Sequence, residues 1–203
     1  MRIKNQESRM KLFKLNSYRL ILNSEQGQSL IEVIVAAAVG ILVVTALTFA
    51  TIFSLRNASF AKNSAQATKL AQEGIERVRA GRDRNECITG LTNVNSWNGN
   101  SSDTSCVGTG SIWTYQINSA CSNQLNPNCY FNIADTGVLN YFINGSSFPV
   151  NGSQLIPPNF KRVVILSDDS TSYTTQKKVT VIVTWTDFAG DHESKLTTIL
   201  RKL

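Results

Sequence analysis

"GQSLIEVIVAAAVGILVVTALTFATIFSL", residues 27–55, decides how the rest of the chain can fold. From Val33 to Leu55 it runs for 23 residues without a charge and is rich in Val, Ile, Leu and Ala. As a helix rising about 1.5 Å per residue, such a run crosses a hydrocarbon core of roughly 30 Å. A secretory signal that is cut away has an apolar region of only about 7–15 residues. The run continues well past "AAAVG", so its removal is not expected. One acid, Glu32, stands just inside its beginning. A charge at the centre of a span costs on the order of 2.5–3.5 kcal/mol and less toward the end, so a carboxylate here either snorkels to the headgroups or marks a pairing site.

On the N-terminal side, residues 1–27 hold Arg2, Lys4, Arg9, Lys11, Lys14 and Arg19 against Glu7 and Glu25. Most of the chain's net charge of +6 therefore belongs to this leader. Basic flanks stay cytoplasmic, which sends the C-terminal body outward, although Arg56, Lys62 and Lys69 balance part of the bias. Little net positive charge is left for the body. On the sheet, Lys161, Arg162, Lys177 and Lys178 read either as a modest nucleic-acid patch or as charge protecting strand edges, and DNA is not expected as a partner.

On the C-terminal side, helical character continues beyond Leu55. Ala67, Leu70, Ala71, Gly74, Ile75 and Val78 recur on one helical face, with Lys69, Gln72, Glu73, Glu76 and Arg77 opposite. Glu73 and Arg77 form a favourable i,i+4 pair, and Gly81 reads as the stop. One helix from about residue 29 to 80 would be roughly 75–80 Å long, and its second half needs a surface to cover it. "KRVVILS", "KKVTVIVTWTD" and "SKLTTILRK" supply that surface. In the middle run Val179, Val181, Val183 and Trp185 alternate with Thr180, Ile182, Thr184 and Thr186, the period-two pattern of an antiparallel meander. Helix on antiparallel sheet is an α+β arrangement. Between them, residues 85–158 are rich in Asn, Ser, Gly and Thr, with "SIWTYQIN", "NCYFNI" and "VLNYFI" as short strands among long loops, and Asn-Gly turns at Asn98, Asn144 and Asn151. Trp97, Trp113, Tyr115, Tyr130 and Phe131 read as core packing, with a ligand-stacking platform as the sharper alternative.

All four cysteines, Cys87, Cys106, Cys121 and Cys129, fall in this polar window. An even number downstream of a membrane segment points to disulfides in an oxidising compartment. Zinc usually takes close CxxC pairs, which are missing, and free thiols are the other alternative. Of the three pairings, Cys87–Cys106 with the short loop Cys121–Cys129 is preferred. The single histidine, His192, lies near Asp187, Asp191 and Glu193 in "DFAGDHESK", and reads as a hairpin loop turned by Gly190 with solvated carboxylates rather than as a metal or acid/base site. Asp168 and Asp169 read the same way. No GxSxG, Walker or HExxH pattern is present, so neither an enzyme nor a cofactor is expected.

The residues "GQSLIEVIVAAAVGILVV" resemble the class III signal of type IV pilins and type II secretion pseudopilins, strongly over residues 1 to about 60. The resemblance implies that a prepilin peptidase cuts after Gly27 on the cytoplasmic side. Gln28 becomes the new N-terminus, methylated by the same enzyme, and Glu32 becomes the fifth mature residue, meeting the free amine of a neighbouring subunit. The family most often has phenylalanine where this chain has Gln28. Ala36 and Gly40 form a small-xxx-small pair that permits close helix approach. The expected organisation is a cleaved basic leader (1–27), a transmembrane and assembly helix (28–55), its amphipathic continuation (56–84) and an extracytoplasmic β-rich domain (85–203). Expected partners are the prepilin peptidase, other pilin or pseudopilin subunits and the cytoplasmic membrane. The alternative is an uncleaved single-pass anchor whose outer domain binds a ligand through its aromatic loops.

Overall fold

The structure is a computed structural model that describes residues 30–91, 93–101, 103, 106, 108–117, 129–142, 153–169 and 171–203. The chain divides into two compact units, 1–55 and 56–203. One helix, α1 (Leu30–Asp83), contributes to both. It is followed by β1 (Ile88–Thr89), a 3₁₀ turn (Ile112–Thr114), β2 (Cys129–Ile133), β3 (Leu139–Phe142), β4 (Gln154–Ile156), β5 (Phe160–Ser167), β6 (Gln176–Asp187) and β7 (Gly190–Arg201). Among the described residues the strands make one seven-stranded sheet, in which β1-β3-β2-β5-β6-β7 follow one another and β4 also pairs with β5. All pairings are antiparallel except β1 with β3. β2 and β4 pair with different parts of β5: Cys129–Phe131 face Val164–Leu166, and Gln154–Ile156 face Phe160–Arg162. The α+β expectation therefore holds.

Within the first unit, every described residue from Leu30 to Leu55 is exposed. In the second unit, the predicted stripe is the buried side of α1: Ala67, Ala71, Gly74, Ile75 and Val78 are covered, and Leu70 packs at the margin. The alternation in β6 puts Val179, Val181, Val183 and Trp185 on the helix-facing side of the sheet. Across the strands their partners Leu166, Val164 and Phe160 join the same core. Gly74 permits the close approach, since a Cβ there would lie 2.9 Å from Val181 Cγ1.

Two local expectations change. Within "SIWTYQIN", Ile112–Thr114 form a 3₁₀ turn, with Ser111 as its N-cap accepting the Trp113 N–H, rather than a strand. Gly81 is not the stop of α1. The helix runs to Asp83 and closes through Asn85, which takes the left-handed conformation (φ 57°). Glu86 N–H donates to Gly81 O at 2.8 Å and Asn85 N–H to Arg82 O at 3.1 Å, the paired bonds of a Schellman cap. Gly81 is instead buried against the turn at Gly137, whose backbone carbonyl occupies the space a side chain would need. Gly81→Ala should gain about 1 kcal/mol of helix propensity. It should lose more through backbone overlap, for a net destabilisation of about 1–2 kcal/mol in chemical denaturation. A stabilised Gly81→Ala would show that the contact gives way.

Candidate functional site

The first unit presents a helix that is apolar on all sides, which in a folded chain means a bundle interior or a membrane. Among the described residues, α1 is the one helix long and apolar enough to cross a membrane. Leu42 is 69 % and Phe53 67 % exposed. The threonines of this surface are satisfied internally: the hydroxyls of Thr45, Thr48 and Thr51 donate to Ile41 O, Val44 O and Leu47 O at 2.7, 2.8 and 2.7 Å. A span must satisfy its polar groups in this way, because lipid offers no partners. Gly40 has open space where a Cβ would stand, so the Ala36/Gly40 face is free for close approach.

Glu32 lies in the first turn of α1, where the helix dipole favours a carboxylate. It is exposed, and among the described residues it meets no hydrogen-bond or ion-pair partner. Gly27 and Gln28, the expected cleavage and methylation positions, lie outside the described residues. So does Cys121.

The cysteine expectation is met at one pair. Cys87 and Cys106 are joined by a disulfide, with a Cα–Cα separation of 5.6 Å. Cys129 is also disulfide-bonded. The Asp103 carboxylate lies beside the two sulfurs of Cys87 and Cys106, but sulfurs bonded to one another are not the thiolates a metal would require.

The basic grouping on β5 and β6 comes apart, because neighbours on a strand point to opposite faces. Arg162 is 1 % exposed on the helix side, donating to Gln154 Oε1 at 2.8 and 3.0 Å and to Leu70 O at 3.2 Å, with Glu73 at 3.6 Å. Burial and the neighbouring Arg77 lower its pKa, and Glu73 opposes them. Lys177 is fully buried. Its Nζ donates to Tyr115 O at 2.8 Å and meets Asp168 at 2.9 Å. Only Lys161 and Lys178 remain exposed, and both strands are interior to the sheet, so neither the nucleic-acid reading nor edge protection describes these four residues.

The aromatic residues are core. Trp97 and Phe131 are fully buried and Trp113 nearly so, with Tyr115 packed against the same core, while Tyr130 is buried in a second, smaller cluster with Val163 and Ile182. Trp97 and Trp113 rings lie 5.7 Å apart inside the core rather than forming a platform.

His192 belongs to β7, not to a loop, because only Phe188 and Ala189 separate β6 from β7. Its Nε2 lies 2.9 Å from Asp187 Oδ1, and its ring stacks on Trp185 and meets Phe60 edge-on at 5.0 Å. Burial alone would raise the pKa of Asp187. The Ala189 N–H, His192 and the Gly190 N–H outweigh it and leave the carboxyl below its ordinary range. Asp168 likewise is no solvated loop acid: its side chain is buried, accepting the Ile117 N–H at 2.6 Å as well as Lys177. Sequence reasoning also missed an open cleft of 570 Å³ lined in part by Asn159, Lys161, Thr184, Asp191 and Glu193. Its formation depends on register across three strands, which a linear pattern does not reveal.

Comparison of the chain with family models, with curated proteins and with solved structures returns no match.

Proposed function

We propose that the chain is a pilin-like structural subunit of a type IV pilus or a type II secretion pseudopilus. It would be made as a precursor in the cytoplasmic membrane of a bacterium, with its sheet domain outside. Prepilin peptidase cuts it after Gly27, and its N-terminal helices then pack into a filament. The observation that carries this reading is a single one: Glu32, exposed and unpartnered among the described residues, opens a helix that stays uncovered for the next 23 residues. A lone carboxylate at that place needs a cation, and cleavage after Gly27 would create one as the α-ammonium of Gln28 on an adjacent subunit. Their pairing in low dielectric then helps fix the stagger between helices. The irregular, cysteine-bearing region favours a minor subunit that primes or caps a filament. The rival, an uncleaved anchored binding domain, loses support because Trp97, Trp113 and Phe131, which it would use, are packed in the core.

Co-expression with a prepilin peptidase tests the proposal. Wild type should lose its leader, seen as a gel shift and an N-terminal mass beginning at Gln28, while Gly27→Ala stays full length. An unshifted wild type would replace this reading with the anchored-domain one.

A further inference from the structure

We infer that the end of the sheet domain bearing the β6–β7 hairpin is a membrane-contacting surface that rests in the phospholipid headgroup layer. The inference rests on α1 spanning the bilayer. Arg56 is the first charged residue after the run Val33–Leu55, so in a spanning helix it stands where hydrocarbon gives way to phosphate. Its guanidinium carbon lies 4.8 Å from the centroid of the Phe188 ring, a cation–π contact. Phe188 is one of the two turn residues of the hairpin and is 61 % exposed.

Contacts between helix and hairpin occur in chain order on both. Phe60 meets His192, Thr68 Oγ1 lies 3.1 Å from Ser194 Oγ, Arg79 donates to Thr198 at 3.2 Å and Arg82 to Arg201 O at 3.0 Å. β7 thus runs alongside α1, with the hairpin turn at the level of residue 56. The β4–β5 connection reaches the same end, because Phe160 pairs with Trp185, and it exposes Pro157, Pro158 and Asn159.

The two ends of the sheet differ in chemistry. At the hairpin end the turns are Pro-Pro-Asn and Phe-Ala. The acids closest to them are engaged: Asp187 by Ala189 N–H and His192, and Asp191 by the Thr186 hydroxyl at 2.6 Å. The β5–β6 connection at the opposite end exposes Asp169, Thr171, Thr174 and Thr175. An aromatic ring with a cation on its face suits the headgroup region, where apolar bodies and charged tips are both accommodated. An acidic, hydroxyl-rich loop suits water.

The test uses the full chain in phosphatidylcholine/phosphatidylglycerol vesicles whose acyl chains are brominated close to the headgroup, with single tryptophans added at Phe188, Thr174 or Phe49 and the wild-type emission subtracted. Phe188→Trp and Phe49→Trp should lose most of their added emission relative to unbrominated lipid, and Thr174→Trp should lose none. Quenching at Phe49→Trp without quenching at Phe188→Trp would overturn the inference and leave the span intact. No quenching at Phe49→Trp would remove the span and the inference together. A Phe188→Trp that is shielded from aqueous quencher but insensitive to bromine would be covered by a second copy of the chain, which also overturns it.

Discussion

Replacing Asp168 by alanine should destabilise the sheet domain by about 3–5 kcal/mol, the usual cost of leaving a buried charge without its partner. Lys177 is fully buried, and among the described residues its ammonium has Asp168 and one carbonyl, Tyr115 O, as its hydrogen-bond acceptors. Removing the carboxylate also takes the acceptor of the Ile117 N–H, so the segment 115–117 loses its tie to the β5–β6 connection. For a chain of this size each kcal/mol shifts the melting temperature by about 2–4 °C, so near-ultraviolet circular dichroism should record a drop on the order of 10 °C. The double replacement Asp168→Leu with Lys177→Met should recover most of it, because a well-packed apolar pair substitutes for a buried ion pair at little cost. A single variant within 1 kcal/mol of wild type would mean that water reaches the lysine. The pH dependence has a defined sign. Burial lowers the Lys177 pKa, with Asp168 opposing it. In the alkaline window between the folded value and the ordinary lysine value the unfolded chain binds more protons, so this group's contribution to stability rises with pH. Below that window burying the charged form is unfavourable, and Lys177→Met should lack the rise across the window.

Under the proposed function, Glu32→Ala should be cleaved as wild type yet fail to enter filaments. Cleavage depends on Gly27 and the leader, whereas assembly asks the carboxylate to meet a neighbour's amine. Removing one partner of such a pair in low dielectric costs about 3 kcal/mol or more. Incorporation into sheared filaments, measured by immunoblot against the membrane fraction, should therefore fall on the order of a hundredfold. Normal incorporation would end the register role of Glu32 and leave only the helix dipole to account for it.

The parts of the fold legible in the sequence are those where one physical pattern dominates. An uncharged run identifies α1 because few other arrangements tolerate it, and the alternation in residues 179–186 identifies β6 because one face is buried and the other is not. The misreadings share a cause: a residue type with two uses. Gly81 could end a helix or let another backbone approach, and only the distant turn at Gly137 decides between them. Lys161, Arg162, Lys177 and Lys178 look like a cluster along the chain, but strand alternation sends Arg162 and Lys177 inward to partners distant in sequence, which periodicity does not identify. Asp168 looked solvated for the same reason. The candidate site was legible through Glu32, whose cost in an apolar run is visible without any tertiary contact.

The ladder of contacts between α1 and β7 has a mechanical meaning. Phe60, Thr68, Arg79 and Arg82 each grip a successive point along the strand, so tension along the helix loads these contacts together, in shear, instead of peeling them one after another. A domain fastened in this way transmits pulling force with little stretch.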